Sequence, residues 1–259
     1  ALDVSAGYGI AQSDTRFRAH VGTGYRVPSL FERFGASFSS FGYSVFGDPR
    51  LAPERTRTFD VGVEQGLFSG RAEASLTYFR TRLREIIVFD FSGAISPDTD
   101  PFGRFGGYRS TDGGTTQGAE VLFSVTAPGG LRLNAAYTYT DAEPPTGVSA
   151  EQDRAFVIPR HHLGVVATKS FTERLSLSFD LSAISSYLAP IFDPNTFTSR
   201  VYRFDGYVKS DVVASYRLSL GSSHLRLFGK IENLFGEDIY ESGFRTPGRW
   251  AVAGVAVEF

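Results

Sequence analysis

Leu175-Ser176-Leu177-Ser178-Phe179-Asp180-Leu181-Ser182-Ala183 carries an apolar side chain at every second position and a polar one between. A strand turns successive side chains to opposite faces, so this stretch has one face for an apolar surrounding and one for water. The pattern recurs. Leu131, Leu133, Ala135, Tyr137 and Tyr139 alternate with Arg132, Asn134, Ala136, Thr138 and Thr140. Leu225, Leu227, Gly229 and Ile231 alternate with Arg226, Phe228, Lys230 and Glu232, where Phe228 breaks the rule. No segment sustains the three-to-four spacing of an amphipathic helix. Working outward, the period predicts eleven strands, at 2–11, 16–25, 56–65, 71–88, 117–126, 131–140, 161–169, 175–185, 207–217, 225–233 and 249–259.

The connections decide what these strands build. Those at 12–14, 67–70, 128–130, 171–174 and 221–223 are short and hold turn residues such as Pro128-Gly129-Gly130. Those at 26–55, 89–116, 141–160, 186–206 and 235–248 are long, and the two kinds alternate strictly. Long loops without structure of their own are uncommon in compact soluble domains. Outer-membrane barrels expect them, with strands of about 9–11 residues, tight periplasmic turns and long outer loops. Lipid can also cover the apolar faces, which a soluble protein would have to bury under a second layer. The fold read here is an all-β, antiparallel transmembrane barrel; a large soluble β-sandwich or β-propeller is the alternative. Tyr78, Tyr137, Tyr139, Tyr187, Tyr207 and Trp250 near the loop side, with Phe68, Phe171, Tyr216 and Phe259 near the turn side, suit two interfacial girdles.

Composition narrows the function. The 259 residues carry 26 Lys and Arg against 28 Asp and Glu, a net charge of -2 with no basic excess to attract nucleic acid. There is no cysteine, which removes disulfide frameworks, thiolate metal sites and cysteine nucleophiles. No run approaches the roughly 20 apolar residues of a membrane helix. The chain opens on Ala1 with neither an initiator methionine nor a secretory leader. Eleven is an odd count where single-chain bacterial barrels have an even one, and it is half of the 22 strands of plugged outer-membrane transporters. The expectation is a piece of a larger barrel.

Several motifs bring a family into view. Gly24-Tyr25-Arg26-Val27-Pro28-Ser29-Leu30-Phe31-Glu32 resembles the "R-x-P-S-hydrophobic-x-E" segment of TonB-dependent outer-membrane receptors. Gly47-Asp48-Pro49-Arg50-Leu51-Ala52-Pro53-Glu54 resembles that family's "G-N-P-x-L-x-P-E", with Asp48 in place of Asn. In order there follow Tyr78 to Ile87, Thr116-Gln117-Gly118-Ala119-Glu120, Tyr137-Thr138-Tyr139-Thr140-Asp141-Ala142 and Ile158-Pro159-Arg160-His161-His162, each similar to a family segment. Ile231-Glu232-Asn233-Leu234-Phe235 resembles "x-x-N-L-F-D", and Pro247-Gly248-Arg249 precedes a last strand ending in Phe259. The resemblance covers essentially the whole chain.

It implies residence in the outer membrane of a Gram-negative bacterium, with outer-membrane lipid as one partner and TonB, acting through a plug, as another. It implies an importer of a ferric siderophore, cobalamin or a similar scarce nutrient, with no covalent chemistry and no cofactor. No plug domain or TonB-contacting box is read in residues 1–259, so the chain is taken as the C-terminal part of such a barrel, its plug and N-terminal strands missing. A passive porin-like or adhesin barrel without a plug is the alternative, and an outer-membrane hydrolase a distant third.

Candidate site residues follow from both lines of reasoning. The motif residues Pro28, Pro49, Glu54, Asn233, Phe235, Arg249 and Phe259 are read as structural. Pro28 and Pro49 remove ladder donors and suit strand-to-loop exits, and Asn233 can start a turn by bonding nearby backbone. Phe38, Phe41, Tyr43 and Phe46 place four aromatics among Gly and Ser on the first long loop, a composition suited to ligand contact or to packing between loops. Arg109, Arg160 and Arg203, with Arg104, Arg200 and Arg245, are loop cations able to meet an anionic chelate or to stay solvated. No metal site is read: His161 and His162 face opposite sides of a strand, and Asp98 and Asp100 lack calcium-loop spacing. No catalytic motif is present.

Overall fold

A computed structural model describes residues 1–39, 42–90, 95–144, 157–193, 195, 198–221, 223–241 and 243–258. Eleven strands form one antiparallel sheet in chain order. They are β1 (Asp3–Ile10), β2 (Thr15–Arg26), β3 (Glu54–Leu67), β4 (Ala72–Arg84), β5 (Gly114–Ala127), β6 (Leu131–Ala142), β7 (His161–Ser170), β8 (Leu175–Ile184), β9 (Tyr207–Leu220), β10 (Ser223–Glu232) and β11 (Trp250–Glu258). Each pairs only with its neighbours in sequence, so β1 and β11 are the two edges, and the described residues form part of a barrel.

Register shows why period two was the deciding signal. Directly opposed residues share a sheet face, and Val4↔Val21, Val21↔Phe59, Val61↔Tyr78, Val121↔Tyr137, Ala135↔Val165 and Phe179↔Val212 run as apolar rows across the strands. The polar rows alternate with them, as in Ser5↔His20, His20↔Asp60 and Arg16↔Glu64. Nothing in the described residues covers the apolar face: Val4, Tyr8, Phe17, Leu76 and Val255 are exposed, while Leu51, Ile95, Leu188 and Ile239, which are buried, lie in the long loops. A strand face that is apolar and uncovered needs lipid, which makes the polar face the lumen. No helix in the described residues is long and apolar enough to cross a membrane. Two lumen-side exceptions are close-packed. Phe79 leans on Gly118, where a Cβ would meet its ring at 2.7 Å, and Phe228 on Gly254 at 2.5 Å.

The structure corrects several sequence readings. The strand read at 71–88 ends at Arg84, because Glu85 takes a positive φ of 53° that turns the chain. Ile86–Asp90 then pairs with Gly107–Thr111 as a loop hairpin. The long connections carry structure: hairpins Ala36–Ser39 with Gly42–Val45, and Tyr187–Asp193 with Thr198–Phe204, and helix α1 (Leu30–Phe34). Among the girdle aromatics, Tyr78, Tyr137 and Tyr139 share the apolar face, whereas Tyr207 and Trp250 fall on polar rows and Tyr187 is buried in a loop hairpin. Phe259 lies outside the described residues.

Candidate functional site

The long loops converge on one side of the sheet, and the first two are tied together by charge. After β2, Pro28 leads into α1, whose Ser29 hydroxyl accepts from the Glu32 amide at 3.1 Å while the Glu32 carboxylate accepts from the Ser29 amide at 2.6 Å. This reciprocal cap satisfies two amides that a helix start otherwise leaves bare. Arg26 joins it to the barrel rim, donating to Glu32 at 2.9 Å and, through two nitrogens, to Glu54 at 2.6 and 2.8 Å. Glu54 also accepts the Ile87 amide at 2.8 Å, which anchors the second loop just after its turn at Glu85. The Arg26 guanidinium, helped by the Ser29 amide and hydroxyl, holds the Glu32 carboxyl down at about 2 against the opposing effect of burial.

Arg104 is the centre of the second tie. It is 3% exposed, and its guanidinium donates to Asp100 at 2.8 and 3.1 Å, to Asp48 at 3.2 Å, and to the Gly47 and Tyr108 carbonyls at 3.2 and 2.9 Å. Asp48 in turn takes two bonds from Arg50 at 2.9 and 2.8 Å. Arg50, with Arg104 adding its charge, keeps the Asp48 carboxyl below the usual carboxylate range, and Arg104 holds Asp100 down at about 2. Arg104 is therefore a buried clamp, contrary to its reading as a solvated loop cation. Asp100, a doubtful calcium ligand from sequence, is spent on Arg104 and on the Phe102 and Arg104 amides. Pro49 contributes its carbonyl, which accepts from Arg33 at 2.6 Å.

The aromatic set divides. Phe38 and Tyr43 touch across their hairpin at 5.0 Å and are 82% and 61% exposed. Phe46 instead packs on Phe89 at 5.6 Å, which meets Tyr108 at 4.9 Å, so it joins the first loop to the second. Phe41 lies outside the described residues. The structure does not bring the candidate cations together: Arg109 is bonded to Asp90 at 2.5 Å in the second loop, Arg160 lies 3.7 Å from Asp141 before β7, and Arg203 stands exposed on the fourth-loop hairpin. At the far end Asn233 is buried with a φ of 50°, its amide group bonding both backbone groups of Glu237 at 2.8 and 2.9 Å. Phe235 and Arg249 are exposed beside that turn.

The polar face is lined with paired charge. His20 lies between Asp60 at 2.8 Å and Asp3 at 3.2 Å, Arg18 reaches Glu64 at 3.3 Å, and Lys230 reaches Glu232 at 2.5 Å. Trp250 donates to Glu232 at 3.0 Å. His161 sits on the apolar face, 2.7 Å from the Tyr137 hydroxyl, and His162 on the polar one. Among the described residues no three His, Asp or Glu side chains converge as a metal centre. Sequence reasoning missed Arg26, Glu32 and Arg104 as fixtures of the site, although Ser29-x-x-Glu32 before an apolar pair was a visible capping signal.

The strand order, the lipid-facing apolar rows and the polar lumen describe a transmembrane barrel. A family model described as TonB dependent receptor-like, beta-barrel, matches residues 4–234. The chain belongs to the TonB-dependent receptor β-barrel family. Such receptors are outer-membrane proteins of Gram-negative bacteria and are not enzymes. The metal-pseudopaline receptor CntO of Pseudomonas aeruginosa is 25% identical over 227 residues, which is 87% of this chain and 29% of that protein. Among solved structures, the P. aeruginosa receptor FpvA with a bound ferric pyoverdine superposes with a TM-score of 0.74 at 16% identity, over 99% of this chain and 32% of that one. The ferric enterobactin receptor PfeA of P. aeruginosa gives 0.74 at 17%, over 99% and 39%. The chain thus spans less than a third of the curated relatives it matches.

Proposed function

We propose that this chain is the C-terminal part of the barrel of an outer-membrane receptor that imports a metal chelate of siderophore type, with energy delivered by TonB through a plug. The family match over residues 4–234 carries the reading. The relatives' names support a metal chelate over cobalamin: one is a metal-pseudopaline receptor, another a ferric enterobactin receptor. In this reading the plug and the first barrel strands belong to the remainder of the protein, and binding and release take the place of covalent chemistry. Phe38 and Tyr43, exposed on a hairpin over the loop side, are the contact residues it favours.

The test is uptake of radiolabelled iron complexed by catecholate, hydroxamate or amino-carboxylate chelators, in cells whose only receptor is the full-length protein. Uptake of one class should saturate and should stop when TonB is deleted or the proton-motive force collapsed. Replacing Phe38 and Tyr43 by alanine should raise the half-saturating concentration about tenfold, the scale of losing an aromatic anchor. Flux that neither saturates nor needs energy would indicate a passive pore and overturn the reading.

A further inference from the structure

Five of the six Arg and Lys residues on the apolar face of the described sheet crowd into one place. Register puts Arg55, Arg57, Arg80, Arg82 and Arg84 on that face, since Val61 opposes Tyr78 and every second position from this pair upward is an arginine or Phe59. The sixth is Lys169, at the turn end of β7. Arg55 lies directly opposite Arg84 and Arg57 opposite Arg82, while Arg80 faces Phe59. Like charges opposed across a ladder destabilise a sheet. Their partners on the protein do not offset this. Arg55 reaches Glu85 at 3.4 Å, and among the described residues Arg57, Arg80, Arg82 and Arg84 have no carboxylate partner. Asp141, the one acid on the same face, is 3.7 Å from Arg160. All five arginines are exposed.

Height identifies what surrounds them. Arg57 stands ten residues along β3 from Leu67, and Arg82 ten along β4 from Ala72. At about 3.3 Å per residue and a tilt near 40°, that is about 25 Å along the membrane normal, the height of a barrel's apolar band. The cluster therefore stands at the outer rim, directly above Phe59, Tyr78 and Tyr139, which form the aromatic belt there. Arginine stems can lie along that belt and lift their guanidinium groups to the headgroups. A guanidinium is also the side chain best matched to a phosphate, through paired donors.

We propose that this arginine ladder is a binding site for the phosphates of an outer-leaflet glycolipid, the chemistry of lipid A. The lipid supplies the anions that relieve the Arg57–Arg82 and Arg55–Arg84 repulsion, and it fixes the first two long loops, which spring from the same strands, against the membrane surface. The inference rests on the outer-membrane barrel and is independent of which nutrient is imported.

The test uses the full-length receptor purified from outer membranes, with co-purifying lipopolysaccharide measured after detergent exchange and unfolding followed by heat-modifiable gel mobility. Wild type should retain the lipid and should melt several degrees higher on adding bisphosphorylated lipid A, with little response to dephosphorylated lipid A or to inorganic phosphate. Arg57→Gln with Arg82→Gln should cut retention at least about fivefold, Arg57→Lys with Arg82→Lys should fall between that variant and wild type, and the single change Lys169→Gln should keep most of it. Equal retention by the glutamine variant would overturn the proposal. If that variant does not insert, the lipid titration of wild type decides: a response to dephosphorylated lipid A, or to inorganic phosphate alone, overturns it as well.

Discussion

Arg104 shows how much a single side chain can hold. Its guanidinium spans two carboxylates and three carbonyls, and both Asp48 and Asp100 are themselves nearly buried. Breaking a buried pair by removing one partner costs about 3–5 kcal/mol, because the other charge stays desolvated. Arg104→Ala should therefore loosen the first two loops and leave the barrel strands intact. Limited proteolysis of the full receptor would show faster cleavage within 85–113 at unchanged heat-modifiable mobility; unchanged cleavage would contradict the role. Arg50→Ala, whose side chain is 59% exposed, should leave cleavage within 85–113 near the wild-type rate. The Asp100–Arg104 spacing is visible in sequence, but Asp48 lies 56 residues from Arg104 and no local pattern joins them. Asn233 was more legible, since its turn bonds reach only four residues ahead.

At the scale of elements, the loop ties set a pH dependence. Asp100 and Glu32 titrate near 2 in the fold, held there chiefly by Arg104 and Arg26, and near 4 in an unfolded chain. A depressed folded value gives stability that is present above the unfolded value and is lost as pH falls through the folded one. Hydrogen exchange of segments 27–53 and 85–113, corrected for intrinsic rates, should thus hold constant from about pH 7 to 5 and rise between about pH 4 and 2. A rise already complete at about pH 5 would show that other groups control the loops. The strands were legible because lipid on one side and water on the other impose a strict period of two, from Leu175 to Ala183 and beyond. The end of β4 was not, because Glu85 adopts a positive φ without being glycine, held by the Glu54 bond to Ile87. The facing of Trp250 was missed for a related reason: an aromatic at a rim can serve either face, and the Glu232 carboxylate draws this one inward.

For the whole molecule, the sheet carries a lipid face without a core beneath it and two edges, β1 and β11, whose outer backbone groups have no strand beside them among the described residues. In a bilayer such edges are untenable, because backbone groups in hydrocarbon need partners. The function proposed above therefore needs further strands between β11 and β1, and it assigns them, with a plug, to a longer receptor. The intact mass and N-terminal sequence of the native protein, extracted from outer membranes, test this most directly. The expected result is a species well above 28.3 kDa with a plug domain ahead of Ala1. A native species of 28.3 kDa beginning at Ala1 would contradict it.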